Sequence, residues 1–487
     1  MEKQHALQQL EQLQKKLYAI HYACSAMNLD ADTVAPKNTS EGRGVALGVL
    51  AGEEQQLMIC PETRALLDEL DRQKDELDLL HRREVEELCR RCDQLTRIPA
   101  EEYIAYSELV NKAGDVWHKA KEKDDFAMFC PLLQELVEYN RKFAAYYDST
   151  RAPYDALLNE YERGVDTKML DEFFATLRQT IVPLLQKIAR KPQIDDSFLH
   201  NYYPVDKQKA FADDLMQVMG LDRGHCGLGE TEHPFTLEFN NKDVRITTNY
   251  DTRNVASSMY SVLHEGGHAL YELGIRDDLQ YTCLAGGVSM GVHESQSRFY
   301  ENLVGRSRGF IEAIYPTVQQ FFPEQLGGVS AEQFYRAVNK AQPSLVRTES
   351  DELTYCLHVM VRYEIEKQLI GGTLEAKDVR RNGRSSTKNI SASTSPTTGT
   401  AACRTATGPA ARSATFPPTR WATPTVPRCS TTWSRTWMWR TASQRVSWPP
   451  SQPGCTRKCT STAGCMSRRM WSRTPAAPLT RTTTPTT

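Results

Sequence analysis

Two histidines four residues apart, with a glutamate directly after the first, are the residues of this chain best suited to chemistry. They lie in the run His-Glu-Gly-Gly-His, from His264 to His268. Positions i and i+4 lie on one face of a helix, so both imidazoles can bind a single zinc ion. Glu265 then lies beside the metal and can take a proton from a water molecule bound there. The pattern predicts a zinc site with its own general base.

A second His–Glu pair supplies a third metal ligand. His293 and Glu294 follow the glycine-rich turn 285–287 and begin another stretch of helical spacing. With Glu294 the ligand set becomes two histidines and one glutamate, which leaves one coordination position open for water. The alternative is a buried helix whose two histidines are satisfied by ordinary hydrogen bonds. That alternative would have to explain both pairs.

The elements that must hold these residues can be predicted from hydrophobic spacing. Residues 255–263 carry apolar residues at helical intervals and lead directly into the histidine run. Before them, alternating residues over 234–250 predict a hairpin that turns at 240–242. An edge strand of this kind can pair with an extended peptide, although simple sheet packing explains its side chains equally well. Elsewhere the spacing is helical, over residues 2–30, 62–95, 100–145, 167–190 and 205–220.

Several short segments, taken in chain order, resemble the successive motifs of a single protein family. They include His-Pro-Phe at 233–235, Asp-Val-Arg-Ile-Thr at 243–247, the run at 264–268, His-Glu-Ser-Gln-Ser-Arg at 293–298 and Val-Arg-Thr-Glu-Ser-Asp-Glu-Leu-Thr-Tyr at 346–355. In residue types and in order they resemble the carboxypeptidase Taq family of metallocarboxypeptidases, as do segments 125–131 and 154–162. The resemblance covers most of residues 1–379. One departure is Ser350, where the family usually has alanine.

The resemblance implies a mostly α-helical, two-lobed, zincin-type metallopeptidase with a long substrate groove and a small β-hairpin before the zinc helix. It also implies a homodimer that releases C-terminal amino acids from peptides, with Zn²⁺ as the cofactor and Co²⁺ able to replace it. The metal ligands would be His264, His268 and Glu294. Glu265 would act as the general base that activates water.

A carboxypeptidase also needs a cationic group for the free carboxylate of its substrate. Arginine is the usual choice, because its guanidinium pairs with a carboxylate through two hydrogen bonds. Arg347 and Arg245 lie in the family segments and are the candidates for this role. His233 is a further candidate for the substrate groove, with a purely structural role equally open.

The composition changes abruptly near residue 380. All 61 Asp and Glu residues precede this point, and residues 380–487 also lack His and Tyr. This Thr-, Ser-, Arg-, Pro- and Ala-rich tail has no apolar periodicity, so it cannot bury enough surface to offset the entropy of ordering. A basic tail of this kind could bind nucleic acid through its charge, but a different origin explains it better.

The tail resembles a coding sequence read in the wrong frame. Codons for 400–408, shifted by one base, can spell His-Gly-Cys-Leu-Gln-Asp-Gly-His-Trp, and those for 414–423 can spell Gly-Tyr-Phe-Pro-Thr-Tyr-Ala-Leu-Gly-Asn. Both strings resemble C-terminal motifs of the same family, in the family's order. We therefore predict a helical metallocarboxypeptidase domain over 1–379, incomplete at its C-terminus, and an out-of-frame, disordered tail over 380–487.

The composition of the first 379 residues also bears on location and on competing functions. No apolar stretch approaches the ~18 residues of a transmembrane helix, and the polar N-terminus does not resemble a signal peptide. Eight cysteines there show no regular framework, which favours a reducing cytoplasm. We expect a cytoplasmic enzyme with peptide substrates and no nucleic-acid or membrane partner. Two alternatives stay open: an aminopeptidase or endopeptidase with the same ligands, and a catalytically impaired, metal-binding remnant with a binding or structural role.

Overall fold

The structure of the chain is a computed structural model. It describes residues 2–36, 39–123, 125–231, 233–342 and 350–379. The predicted tail over 380–487 and the candidate Arg347 lie outside these ranges.

Most of the described chain is α-helical. The helices are α1 (Lys3–Thr33), α2 (Ser40–Ile59), α3 (Pro61–Arg72), α4 (Leu79–Arg97), α5 (Ala100–Glu122), α6 (Phe126–Tyr147), α7 (Pro153–Tyr161), α8 (Thr167–Ala189), α9 (Val205–Met219), α10 (Val255–Leu273), α11 (Met290–Arg298), α12 (Arg308–Phe321), α13 (Pro323–Leu326), α14 (Ala331–Val338) and α15 (Tyr355–Ile370). A π-helical turn, Phe299–Val304, follows α11 directly. No described helix is both long and apolar enough to cross a membrane.

A small sheet lies between α9 and α10 in the chain. Its strands are β1 (Cys226–Glu230), β2 (Thr236–Asn240) and β3 (Asp243–Thr248), in the order β1-β3-β2. The central strand, β3, is parallel to β1 and antiparallel to β2. β2 is therefore an edge strand, with one side free of strand partners in the part of the chain described.

Local side-chain chemistry sets several helix ends. Asp78 caps α4, because its carboxylate accepts hydrogen bonds from the backbone N–H groups of Leu80 and His81 at 2.9 and 3.1 Å. Ser289 caps α11 by accepting a hydrogen bond from the backbone N–H of Val292 at 3.2 Å. This second cap fixes where the helix with the second His–Glu pair begins.

Within the described ranges, the buried apolar residues form three clusters. One joins α1, α2, α3 and α4. Another joins α5, α6, α7 and α8 with α15, which is buried on nearly all sides. The third packs the sheet together with α9, α10, α12 and α14, so the predicted zinc helix lies at the centre of its own apolar core.

The main prediction, a mostly helical protein with a small sheet before the zinc helix, is confirmed. β2 and β3 form the predicted hairpin, but β1 has no counterpart among the predicted elements, because its two glycines interrupt the apolar alternation. The predicted helix over 62–95 is interrupted, since α3 ends at Arg72 and α4 begins only at Leu79. α2 lies outside every predicted helical range, because its first half is rich in glycine and valine.

Candidate metal centre and active site

Helices α10 and α11 bring together the three predicted metal ligands. His264 and His268 project from one face of α10, and their ring centroids are 5.0 Å apart. Glu294 of α11 approaches both, since its Oε2 lies 3.6 Å from His264 Nε2 and 3.3 Å from His268 Nε2. The candidate ligand atoms of the three residues all lie within 4.8 Å of one another. One ion can therefore contact all three.

The donor set fits a divalent metal such as zinc. Two imidazole nitrogens and one carboxylate oxygen are a common ligand set of catalytic zinc sites, which keep a fourth position for water. His268 is 2% exposed, and its Nε2 has no hydrogen-bond partner among the described residues. A buried nitrogen without a partner destabilises the fold unless something else binds it. A metal ion at this point would satisfy it.

The charges around the ligands favour a cation. Burial would lower the pKa of His264, but Glu294 and Glu301 raise it to about 10. Burial would raise the pKa of Glu294, whereas the charges of His264 and Arg298 hold that pKa well below its usual value. Burial holds the pKa of His268 well below its usual value. The carboxylates therefore stay charged, and they attract positive charge to this point.

His264 is oriented directly by a carboxylate. Glu301, on the π-helical turn, places its Oε2 2.8 Å from His264 Nδ1. Arg298 donates from Nη1 to the same oxygen at 2.8 Å, and from Nε to Glu294 Oε1 at 3.1 Å. Arg298 thus links the ligand Glu294 to Glu301, the carboxylate that contacts His264. Partners of this kind fix the orientation of a ligand and raise its basicity.

His268 is oriented through a second histidine. Its Nδ1 lies 2.5 Å from Nδ1 of His293, the residue just before Glu294. The other nitrogen of His293, Nε2, lies 2.6 Å from Oε1 of Glu272, which is on α10 one turn beyond His268. His264 therefore contacts its supporting carboxylate directly, whereas His268 is linked to its carboxylate, Glu272, through His293.

The predicted general base is held by the sheet. Glu265 is 4% exposed, and its Oε2 accepts a hydrogen bond from the Thr236 hydroxyl of β2 at 2.6 Å. The same hydroxyl lies 3.0 Å from the backbone carbonyl oxygen of Glu265. The edge strand thus fixes both the helix and the carboxylate that follows His264.

The two glycines within the histidine run allow α10 to pack closely against its neighbours. A Cβ on Gly267 would lie 2.8 Å from the Cα of Ser297 on α11. A Cβ on Gly266 would lie 2.6 Å from the side chain of Met219 on α9. Any larger residue at position 267 would push α11, and Glu294 with it, away from the two histidines.

A cavity of about 420 Å³ lies beside the metal ligands. One wall comes from α1, with Tyr18 and His21, and another from β2 and the segment 280–287. His268 and Glu294 also line it. The cavity therefore lies between the α1–α4 cluster and the core around α10, and the edge strand runs along it.

Two of the candidate substrate residues, Arg245 and His233, do not line the cavity that His268 and Glu294 line. Arg245 pairs with Asp243 through two hydrogen bonds, at 2.9 and 2.8 Å, and covers the ring of Phe239. It is not among the residues that line the cavity, and neither is His233, which is exposed just before β2. Arg347 lies outside the described residues, so its role stays a prediction.

The residues that support the ligands were missed by sequence reasoning. Glu272 follows His268 by four positions, which places the two on one helix face. Arg298 and Glu301 follow Glu294 by four and seven positions and give the same signal. Thr236 gives no such signal, because it meets Glu265 across two separate elements.

Comparison with known proteins gives consistent matches. A family model described as carboxypeptidase Taq (M32) metallopeptidase matches residues 9–390. The chain is 39% identical over 364 residues to carboxypeptidase 1 of Bacillus subtilis, with 74% of this chain and 72% of that protein covered. It is 34% identical over 373 residues to thermostable carboxypeptidase 1 of Pyrococcus furiosus, with 75% and 73% covered.

Solved structures agree with these sequence matches. The crystal structure of an M32 carboxypeptidase from Deinococcus radiodurans superposes with a TM-score of 0.78 at 29% identity, covering 95% of this chain and 99% of that chain. The fold of that carboxypeptidase is therefore similar to the fold of the described residues. With the family model matching residues 9–390, the chain belongs to the carboxypeptidase Taq (M32) family of metallopeptidases.

Proposed function

We propose that this member of a metallocarboxypeptidase family is a zinc enzyme that releases C-terminal amino acids from peptides, with Glu265 as general base. The observation that carries the proposal is the convergence of His264, His268 and Glu294, of which His268 and Glu294 line a cavity. The buried Nε2 of His268, without a hydrogen-bond partner in the described ranges, supports a metal at that point. Co²⁺ has similar ligand preferences and is expected to replace zinc.

Each residue of the site has a distinct part in this reaction. A divalent metal, when bound, supplies Lewis-acid chemistry for hydrolysis of the amide bond. Glu265 accepts the proton of the attacking water and passes a proton to the leaving amine. Thr236 holds the Glu265 carboxylate in place through its hydroxyl at 2.6 Å. The free edge of β2, which runs along the cavity, is suited to pairing with the backbone of an extended peptide.

Blocked peptides distinguish this proposal from the aminopeptidase and endopeptidase alternatives. The metal-free protein would be loaded with Zn²⁺, Co²⁺ or Mg²⁺ and given one peptide in free, N-acetylated and C-terminally amidated forms. We expect Zn²⁺ and Co²⁺ to support release of the last residue from the free and acetylated peptides only. Equal cleavage of the amide would indicate an endopeptidase, and loss of cleavage on acetylation an aminopeptidase. Activity with Mg²⁺ alone would contradict the zinc assignment.

A second candidate function is an impaired, metal-binding remnant. The family match stops at residue 390, which supports the proposal that the frame is lost near residue 380. The chain as given and a frame-restored chain should be compared for zinc content, solubility and release of C-terminal residues. Zinc binding by both with activity only in the restored chain would favour the remnant, whereas equal activity would show that the tail does not matter.

Assembly and location are proposed from the family resemblance. We expect a homodimer, which sedimentation of the purified protein measures directly. We also expect cytoplasmic location, peptide substrates and no nucleic-acid or membrane partner.

A further inference from the structure

We propose that His293 is a positioning residue that fixes the tautomer and the orientation of His268. Glu272 is the last acceptor in this series of hydrogen bonds. The inference deepens the proposed function and rests on its metal site. His293 is not one of the three converging ligands, although it directly precedes Glu294. Its two ring nitrogens instead lie between a ligand and a carboxylate.

The positions of the protons follow from the two contacts. Glu272 Oε1 lies 2.6 Å from His293 Nε2, and a carboxylate accepts hydrogen bonds, so Nε2 of His293 is the donor. With its ring proton on Nε2, His293 has its lone pair on Nδ1. His268 Nδ1 lies 2.5 Å from His293 Nδ1, so His268 Nδ1 must be the donor of this hydrogen bond.

This assignment leaves the free lone pair of His268 on Nε2. That atom is the buried one without a hydrogen-bond partner among the described residues, and it faces Glu294 Oε2 at 3.3 Å. The opposite tautomer would place a proton on Nε2 and block metal binding there. These hydrogen bonds therefore favour the His268 tautomer protonated on Nδ1, which is the one that can bind a metal through Nε2.

The surroundings of His293 keep its ring from turning. The Tyr271 ring meets it edge-on, with centroids 5.0 Å apart. On another side Gly287 is so close that a Cβ there would lie 2.4 Å from His293 Cδ2. Glu272, which accepts the last hydrogen bond, is 3% exposed and lines the cavity together with His293. Packing and hydrogen bonding thus agree on one ring orientation.

A pair of substitutions separates hydrogen bonding from packing. In His293→Asn the amide oxygen can replace Nδ1 as the acceptor for His268, whereas His293→Leu removes the acceptor and keeps an apolar side chain. Zn²⁺ affinity would be measured by chelator competition on the full chain, without any activity assay. We expect His293→Leu to bind zinc about 10- to 100-fold more weakly and His293→Asn to recover most of the loss.

The possible outcomes are distinct. No zinc binding by the unaltered chain would overturn the proposed function itself. Zinc binding by the unaltered chain with equal affinity in His293→Leu would overturn only the role of His293. Equal weakening in both variants would show that His293 acts by packing alone, which also overturns the inference.

A spectroscopic test covers the case in which His293→Leu fails to fold. Long-range ¹H–¹⁵N spectra of the zinc-loaded, ¹⁵N-histidine-labelled chain report which ring nitrogen carries the proton. We expect His293 protonated on Nε2 and His268 protonated on Nδ1. A His293 ring protonated on Nδ1 would contradict the proposed chain of hydrogen bonds.

Discussion

The metal centre and the interior around α15 both contain glutamates shielded from solvent, but the glutamate pKa is lowered in the first region and raised in the second. Burial would raise the pKa of Glu301 in the metal centre, but Arg298 and His264 lower it to about 2. Burial raises the pKa of Glu366 on α15 to about 7, against the smaller influences of Tyr154 and Arg362. The two side chains are similarly shielded from solvent, so burial does not explain the difference.

The number of hydrogen bonds to positive groups distinguishes the two regions. Glu301 Oε2 receives Arg298 at 2.8 Å and lies 2.8 Å from His264, while Arg306 approaches its other oxygen. Glu366 Oε2 receives the hydroxyl of Tyr154 at 2.8 Å, and its Oε1 has no hydrogen-bond partner within the described residues. A buried carboxylate keeps its charge only where cations converge on it. The metal centre is therefore a charged site that the fold maintains.

Removing a ligand should have the largest effect on the metal centre. Glu294→Ala should weaken zinc binding by more than the roughly 10- to 100-fold expected for a supporting residue, because a direct ligand is lost. Glu265→Gln should keep the metal and lower turnover by about 10³-fold, because a general base is lost. Metal content and peptide hydrolysis would be measured together. Glu312→Gln, an exposed change on α12, is the control. Full activity in Glu265→Gln would end the proposed mechanism.

Breaking the network of cations should destabilise the fold as well as the site. Arg298→Met would leave Glu294 and Glu301 buried beside each other without the guanidinium that joins them. Removing one partner of a buried ion pair typically costs about 3–5 kcal/mol of unfolding free energy. Chemical unfolding of the metal-free protein measures this loss, with the half-exposed Arg308→Met as a matched control. A loss no larger than that of the control would show that the network does not stabilise the centre.

The α15 carboxylate should reveal itself in the pH dependence of stability. Because the pKa of Glu366 is raised to about 7, the folded state binds a proton that the unfolded state releases at lower pH. Its contribution is fully present below the unfolded pKa, near 4.5, and is lost as the pH rises through about 7. The loss is at most about 3 kcal/mol. Glu366→Gln should flatten the curve of unfolding free energy between pH 5 and pH 8. An unchanged slope would contradict the raised pKa.

The metal ligands could be read from the sequence because their geometry is mostly local. His264 and His268 lie one turn apart on a single helix, and Glu294 directly follows a histidine at the start of another helical pattern. The hairpin was equally visible, because its alternation and its turn lie within one short segment. Spacing along one element is information that a sequence carries directly.

Contacts between separate elements could not be read in this way. Nothing local shows that Arg245 of β3 covers the ring of Phe239 on β2, or that α1 supplies a cavity wall. The sequence of β1 shows no strand pattern either, because this strand depends on parallel pairing with β3. These features depend on how helices and strands meet, and that is decided by the packing of whole faces.

The smallest effect should come from the support of the general base. Glu265 contrasts with Glu301, because the partner observed for its Oε2 is the neutral hydroxyl of Thr236. Thr236→Val keeps the shape of the buried side chain and removes one hydrogen bond, which is worth about 0.5–1.5 kcal/mol. We expect kcat to fall by up to about tenfold, which is the factor for 1.4 kcal/mol, with KM and zinc affinity unchanged. Thr236→Ser should restore kcat because it returns the hydroxyl. A rise in KM alone would show that Thr236 contacts the substrate and does not position the base.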